Sequence, residues 1–219
     1  VAIASREDRR IRLAEATWRV IAERGIGAVS VRTVAAEAGM AVGSLRHLFP
    51  TQQELLEFSA ELMIERATAR VTEVTPTPDV VDYALAAIGE LLPLTPDTRC
   101  EFEVNIALIA ETPANPGLAG IRDHAHEQLL DLFARIVAML QDEDNLTEKR
   151  RQVARRLLAL VDGLGLHLLH QPADDSTAWA VNIVREELVH IQRSGPSDTG
   201  PSGTSETRPD QQSAALHVK

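Results

Sequence analysis

The sequence predicts an all-α fold, and three observations predict it. Leu and Ala, both strong helix formers, dominate a composition that is 44% hydrophobic but only 3% aromatic. Apolar residues recur at spacings of three and four along most of the chain. No segment alternates apolar and polar residues with β-branched enrichment, so no strand is expected.

The elements follow in order. Leu13, Ala16, Thr17, Val20 and Ile21 stand at i, i+3, i+4, i+7 and i+8, which places a first helix over 9–22, stopped by Gly25. Ser30 is a good N-cap for a second helix from Val31 to Ala38, with Val31, Val34, Ala35 and Ala38 on one face and Gly39 ending it. A third short helix runs from Val42 to Phe49 and Pro50 closes it. Thr51 and Glu54 make a T-x-x-E capping box for the fourth, ahead of Leu55, Leu56, Phe58, Leu62 and Met63. The stretch Thr75-Pro76-Thr77-Pro78 is a break. Helical patterns resume over 79–93, 97–111, 118–141, 147–170 and 176–193, separated by Pro93, Pro96, Pro113, Pro116, Asp142–Asn145 and Pro172. From Ser194 onward Ser, Gly, Thr, Pro and Gln replace apolar residues, and a disordered tail is expected over 194–219.

Charge divides the chain unevenly. The formal net charge is −10, yet residues 1–50 carry eight arginines against five carboxylates, a net +3, which leaves −13 on the remainder. A basic head on an acidic body suits contact with phosphate at one end only. The single cysteine, Cys100, forms no disulfide within the chain, and no secretory signal or apolar run of about 18 residues is present. A soluble, cytoplasmic setting without membrane contact is the expectation.

Residues 29–49 read VSVRTVAAEAGMAVGSLRHLF. Physically this is two short helices joined by a tight Gly-containing turn, the helix-turn-helix arrangement, although an αα-hairpin inside any bundle has the same periodicity. In the first reading one helix braces against the nucleic-acid backbone and the second enters the major groove. The stretch from Arg9 to Leu56 resembles the DNA-binding domain of the TetR family, in the subgroup with a BetI-like C-terminal domain. The matching residues are Ala22-Glu23-Arg24-Gly25, Val31-Arg32, Val34-Ala35, Ala38-Gly39, Gly43-Ser44-Leu45, His47, Phe49 and Glu54-Leu55-Leu56.

This resemblance implies a three-helix DNA-binding head over 1–50 and an effector-binding and dimerisation body over 51–193. It implies that Arg32 touches DNA and that Ser30 reaches phosphate as well as capping its helix. Val42, Gly43, Ser44, Arg46 and His47 match positions that face DNA, while Leu45 and Phe49 match core positions. Gln52 stands where Lys usually touches phosphate. Four departures bear on readout: Ala41 gives up a cap worth about 1 kcal/mol, Val42 offers only apolar contact, plausible for a thymine methyl, Arg46 replaces the usual aromatic, and Gln52 removes a charge.

The resemblance also implies an effector pocket inside the body, for which Phe58, Met63, Tyr83, Phe102, Asn105, Phe133 and Trp179 are candidates, each of which plain core packing would equally explain. The last two helices are implied to form a four-helix seam between two copies. Leu157, Val161, Leu164, Leu168, Val184 and Leu188 are its candidates, and a central core helix is the competing explanation. Gly163 and Gly165 weaken the helix, so a packing reason is expected for them. The function implied is ligand-responsive repression at a palindromic operator by a homodimer released by a small molecule. The alternative is a helical small-molecule carrier or enzyme with a degenerate head.

Other features carry less. His124-x-His126 places two rings on different sides of a helix, and His167 with His170 lacks the further ligands a zinc site needs, so no metal is expected. Arg99 favours a reactive Cys100 thiolate while Glu101 and Glu103 oppose it. Trp18 should cover the head's core, and Asp174 and Asp175 read as caps for the last helix. No catalytic triad, phosphate loop or dinucleotide fingerprint appears, so neither enzyme nor cofactor is expected.

Overall fold

The computed structural model describes residues 5–142 and 147–195. Among them are helices α1 (Arg6–Arg24), α2 (Val31–Glu37), α3 (Val42–Leu48), α4 (Gln52–Glu73), α5 (Val80–Gly89), α6 (Pro96–Glu111), α7 (Pro116–Leu140), α8 (Glu148–Leu169) and α9 (Ala178–Arg193), with a 3₁₀ turn at Ile26–Ala28 and no strand. The all-α expectation is therefore met. All but Ser194 and Gly195 of the tail expected at 194–219, and part of the Asp142–Asn145 connection, lie outside the described residues.

Helix ends follow local chemistry. α1 opens on a reciprocal box in which the Asp8 amide donates to Ser5 Oγ (3.0 Å) and the Ser5 amide donates to the Asp8 carboxylate (2.8 Å). Ser30 and Thr33 do the same for α2, at 3.1 and 2.9 Å. Gly39 takes φ +63° after α2, the left-handed turn that lets α3 fold back. α3 begins at Ala41 with no side-chain cap, as its methyl dictates.

Three expectations need correction. The Thr51 hydroxyl accepts the Glu54 amide (3.1 Å), but it also donates to the Glu54 carboxylate (3.1 Å), so the carboxylate does not turn back to the Thr51 amide. α5 ends at Gly89 rather than 93, because Pro93 bars helical backbone at Leu92 and the chain turns through Leu91–Leu94. Asp174 and Asp175 do not cap α9; they lie in the preceding turn, and Thr177 holds the cap position without a side-chain bond.

The apolar residues form two clusters. One belongs to the head: Leu13, Val20, Val34, Leu45, Phe49 and Leu55 close over Trp18, and Val104, Leu108 and Leu118 join from α6 and α7. The other belongs to the body and runs through α5, α7, α8 and α9 around Ile88, Phe133, Leu157, Leu168 and Leu188. α4 contributes to both, with Leu55 to Met63 in the first and Val71 in the second. Burial on this scale, at roughly 25 cal/mol per Å² of apolar surface, is the main stabilising contribution.

Polar links fix the helices. The indole Nε1–H of Trp18 donates to the Ser59 carbonyl (3.1 Å), tying α1 to α4 as its expected covering role requires. Arg66 pairs with Glu15 at 2.6 Å across the same two helices. Arg99 on α6 donates to the carbonyls of Leu168, Leu169 and Gln171 at 2.9, 2.9 and 3.0 Å, capping the C-terminal end of α8.

Candidate nucleic-acid interface and internal cavity

The head divides its guanidiniums between structure and surface. Arg19 and Arg24 both close on Glu37, at 3.0 and 3.2 Å, bracing α1 against α2. Arg10 lies 4.0 Å above the Phe58 ring and 5.4 Å above Phe49. Arg32 and Arg46 have no hydrogen bond or ion pair among the described residues, and both are exposed. Leu45 and Leu48 anchor α3 in the core, so its opposite face turns outward. That face presents Val42, Gly43, Ser44, Arg46 and His47, all exposed, with Gln52 exposed at the start of α4. Ser30 is half-buried and its hydroxyl is engaged with Thr33. A short helix held by two leucines, with Arg46 and small residues outward, fits a major groove of about 12 Å width.

Between α4, α6, α7 and α8 lies a cavity of about 620 Å³. Met63, Leu108 and Leu118 of its wall belong to the head cluster, while Val71, Phe133 and Val161 belong to the body cluster. Its size falls within the range of drug-sized ligand pockets, about 300–1,000 Å³. Phe102 reaches the wall because Gly165 leaves room for it: a Cβ there would stand 2.3 Å from the ring's Cζ. Charges also line it: Arg70 with Glu101 and Glu90, Arg122 with Asp123, His126, and Asp162. Burial pushes the Asp162 carboxyl above its ordinary value, and His126 opposes the shift.

Two family models match this chain: the bacterial regulatory proteins of the tetR family over residues 13–57, and the C-terminal domain of BetI-type transcriptional repressors over 81–193. The chain belongs to the TetR family. The transcriptional regulator PksA of Bacillus subtilis is 37% identical over 189 residues, spanning 84% of this chain and 90% of that one. The nicotine-responsive transcriptional repressor HdnoR of Paenarthrobacter nicotinovorans is 24% identical over 171 residues, 76% of this chain and 87% of its own. A transcriptional regulator from Rhodococcus sp. Rha1 superposes with a TM-score of 0.76 at 29% identity, covering 88% of this chain and 99% of that one.

Within this TetR-family body, the cavity wall includes Met63, Phe102, Asn105 and Phe133 of the seven residues expected there. The other three lie elsewhere. Phe58 packs on Phe49 with ring centroids 5.4 Å apart, because its position on α4 faces α1 and α3. Tyr83 is buried in the body core on α5. Trp179 is 38% exposed at the start of α9, its indole donating to Gln171 Oε1 at 3.0 Å.

The six seam candidates are packed within the protomer. Leu157, Val161, Leu164, Leu168, Val184 and Leu188 are all buried inside the protomer in the body cluster. Exposed apolar side chains on these helices are Trp179 and Ile183 (38% each) on α9 and Leu166 (45%) on α8, the last of which lines the cavity. No Cβ contact within 4 Å explains Gly163 inside the protomer, whereas Gly165 is explained by Phe102.

Sequence reasoning missed Asp162, His126, Arg70 and Arg122 in the cavity wall. Asp162 carried a readable signal, since it interrupts a leucine-rich helix. Cys100 is half-buried; desolvation, then Glu103, Glu101 and Asp97, push its thiol up, and Arg99 is committed to α8 instead. The His167 and His170 rings stand 6.3 Å apart, and His170 Nδ1 bonds the Leu166 carbonyl at 2.7 Å. Among the described residues no group of three or more His, Cys, Asp or Glu is placed to hold a metal, and no helix is long and apolar enough to cross a membrane.

Proposed function

We propose that this transcriptional regulator is a ligand-responsive repressor. It binds a palindromic operator as a homodimer in the cytoplasm, and a small molecule in the 620 Å³ cavity releases it. The observation that carries this reading is the cavity's position. Its wall is drawn from the head cluster on one side and the body cluster on the other, and α4 runs through both. A ligand that wedges the α6–α7 side away from α4 shifts the head relative to the body. The effector binds the two states unequally, and that difference sets the extent of release. A repressor among the relatives that answers to nicotine by name agrees with this chemistry.

The homodimer forms through the outer faces of α8 and α9, where Trp179 and Ile183 are the exposed apolar anchors. Two-fold symmetry then sets two α3 helices about 34–36 Å apart, one per half-site. The protein acts by binding and not by catalysis.

Selection of bound sequences from random duplex DNA, followed by salt titration of the winner, tests the reading. Recovery of one palindrome bound far more tightly than random DNA supports it. Weak binding with no enriched sequence and a steep salt dependence would mean the head has lost its readout, leaving the carrier alternative.

A further inference from the structure

We propose that Arg10 is a phosphate clamp: held over two aromatic rings beside the reading helix, it presents its outer N–H edge to one backbone phosphate of bound DNA. The inference rests on the head binding duplex DNA.

The placement of charge leads to it. The corner between α3 and α4 supplies no cation of its own, since residues 48–53 read Leu-Phe-Pro-Thr-Gln-Gln and Glu54 follows. Arg19 and Arg24 are engaged with Glu37. The cation at this corner comes instead from α1. The Arg10 guanidinium carbon lies 4.0 Å from the centroid of the Phe58 ring on α4, and 5.4 Å from that of Phe49, the residue that ends α3. The two rings are themselves 5.4 Å apart, so one guanidinium joins α1 to the point where α3 gives way to α4. Arg6, one turn earlier on the same side of α1, is exposed and has neither hydrogen bond nor ion pair among the described residues.

This setting equips Arg10 for phosphate. A guanidinium over a ring keeps the N–H groups of its edge for a bidentate acceptor. The Arg10 side chain has 33% of its surface in solvent, and its ion pair, at 3.2 Å, is with Glu7 of its own helix, which is 58% exposed. An exposed pair of this kind is weak, so a phosphate can displace Glu7. The rings already restrict the side chain, and little rotamer freedom is lost when phosphate arrives. A cover for the rings alone would need no charge.

The test is fluorescence anisotropy of the full chain with a labelled duplex of mixed sequence, long enough for both heads, over a series of salt concentrations. The slope of log affinity against log salt counts the phosphates neutralised, about 0.9 for each. Arg10→Leu, which keeps an apolar cover on Phe58, should lower that slope by about 0.9 for each head engaged. Arg10→Lys, which keeps the charge, should hold the wild-type slope. A slope unchanged in Arg10→Leu, or lowered equally in Arg10→Lys, overturns the clamp and leaves Arg10 as a cover for the rings in a head that still binds DNA. Failure of the wild-type chain to bind the duplex at any salt concentration overturns both readings.

Discussion

The contact between Phe102 and Gly165 gives a measurable coupling between α6 and α8. A Cβ added at Gly165 would stand 2.3, 2.6 and 3.1 Å from Cζ, Cε2 and Cε1 of the ring, so the ring must leave its place. Two opposed effects follow from Gly165→Ala. Alanine in a helix interior favours the folded state by about 1 kcal/mol. Displacing a seated ring costs about 1–3 kcal/mol by the usual penalty of overpacking. In the wild-type background the sum should be a net loss of about 0–2 kcal/mol. In a Phe102→Leu background the clash disappears, and the same alanine should stabilise by about 1 kcal/mol. The coupling from a double-mutant cycle should therefore be about 1–3 kcal/mol. Urea denaturation of the four proteins, monitored by circular dichroism, reads it directly. If Gly165→Ala stabilises by the same amount in both backgrounds, the ring does not rest on Gly165 and the cavity wall is wrong at that point.

Further outcomes concern the head and the carboxylate of Asp162. Arg32→Ala should weaken DNA binding with no change in thermal stability, since Arg32 is exposed and has no hydrogen bond or ion pair among the described residues; an unchanged affinity by fluorescence anisotropy removes it from the contact set. Replacing Arg46 with Ala should relax choice at one base pair by about 1–3 kcal/mol if it reads guanine, whereas a uniform loss across sequences marks a phosphate contact. The Asp162 carboxyl is raised above 3.8 in the fold by desolvation, so the native state holds its proton more tightly than the unfolded chain does. Its contribution to stability is then present below 3.8 and is lost as pH rises through the raised native value. Asp162→Asn should remove that decline and stabilise the ligand-free protein at neutral pH, and equal stability–pH curves for the two proteins would count against the shift.

Helix positions were legible because Gly, Pro and cap residues punctuate a clear 3.6-residue pattern. The α3 surface was legible too: Leu45 faces inward, and the family match fixed which neighbours face out. α5 was overextended because the apolar Leu91 and Leu92 continue its pattern although Pro93 has already ended the helix. The cavity was only half legible. Phe58 and Phe102 look alike in sequence, and only the packing of distant helices sends one to the head core and the other to the cavity. The burial of the seam candidates was not legible for a related reason. Choosing the most apolar residues of α8 and α9 selects what a protomer buries for itself, while faces between subunits are of mixed polarity.

The division of apolar packing into two clusters has a consequence for how the chain unfolds. Cooperativity spreads through packed contacts, and regions joined by few of them open independently. With the cavity empty, α1–α3 can open at a lower free energy than α8, which is held from several sides. An occupant touching Met63 on one side and Val161 on the other joins the two into a single exchange unit. Amide hydrogens of the head would then slow towards those of the body when ligand is added, so the same molecule that lowers affinity for DNA would leave the head harder to unfold.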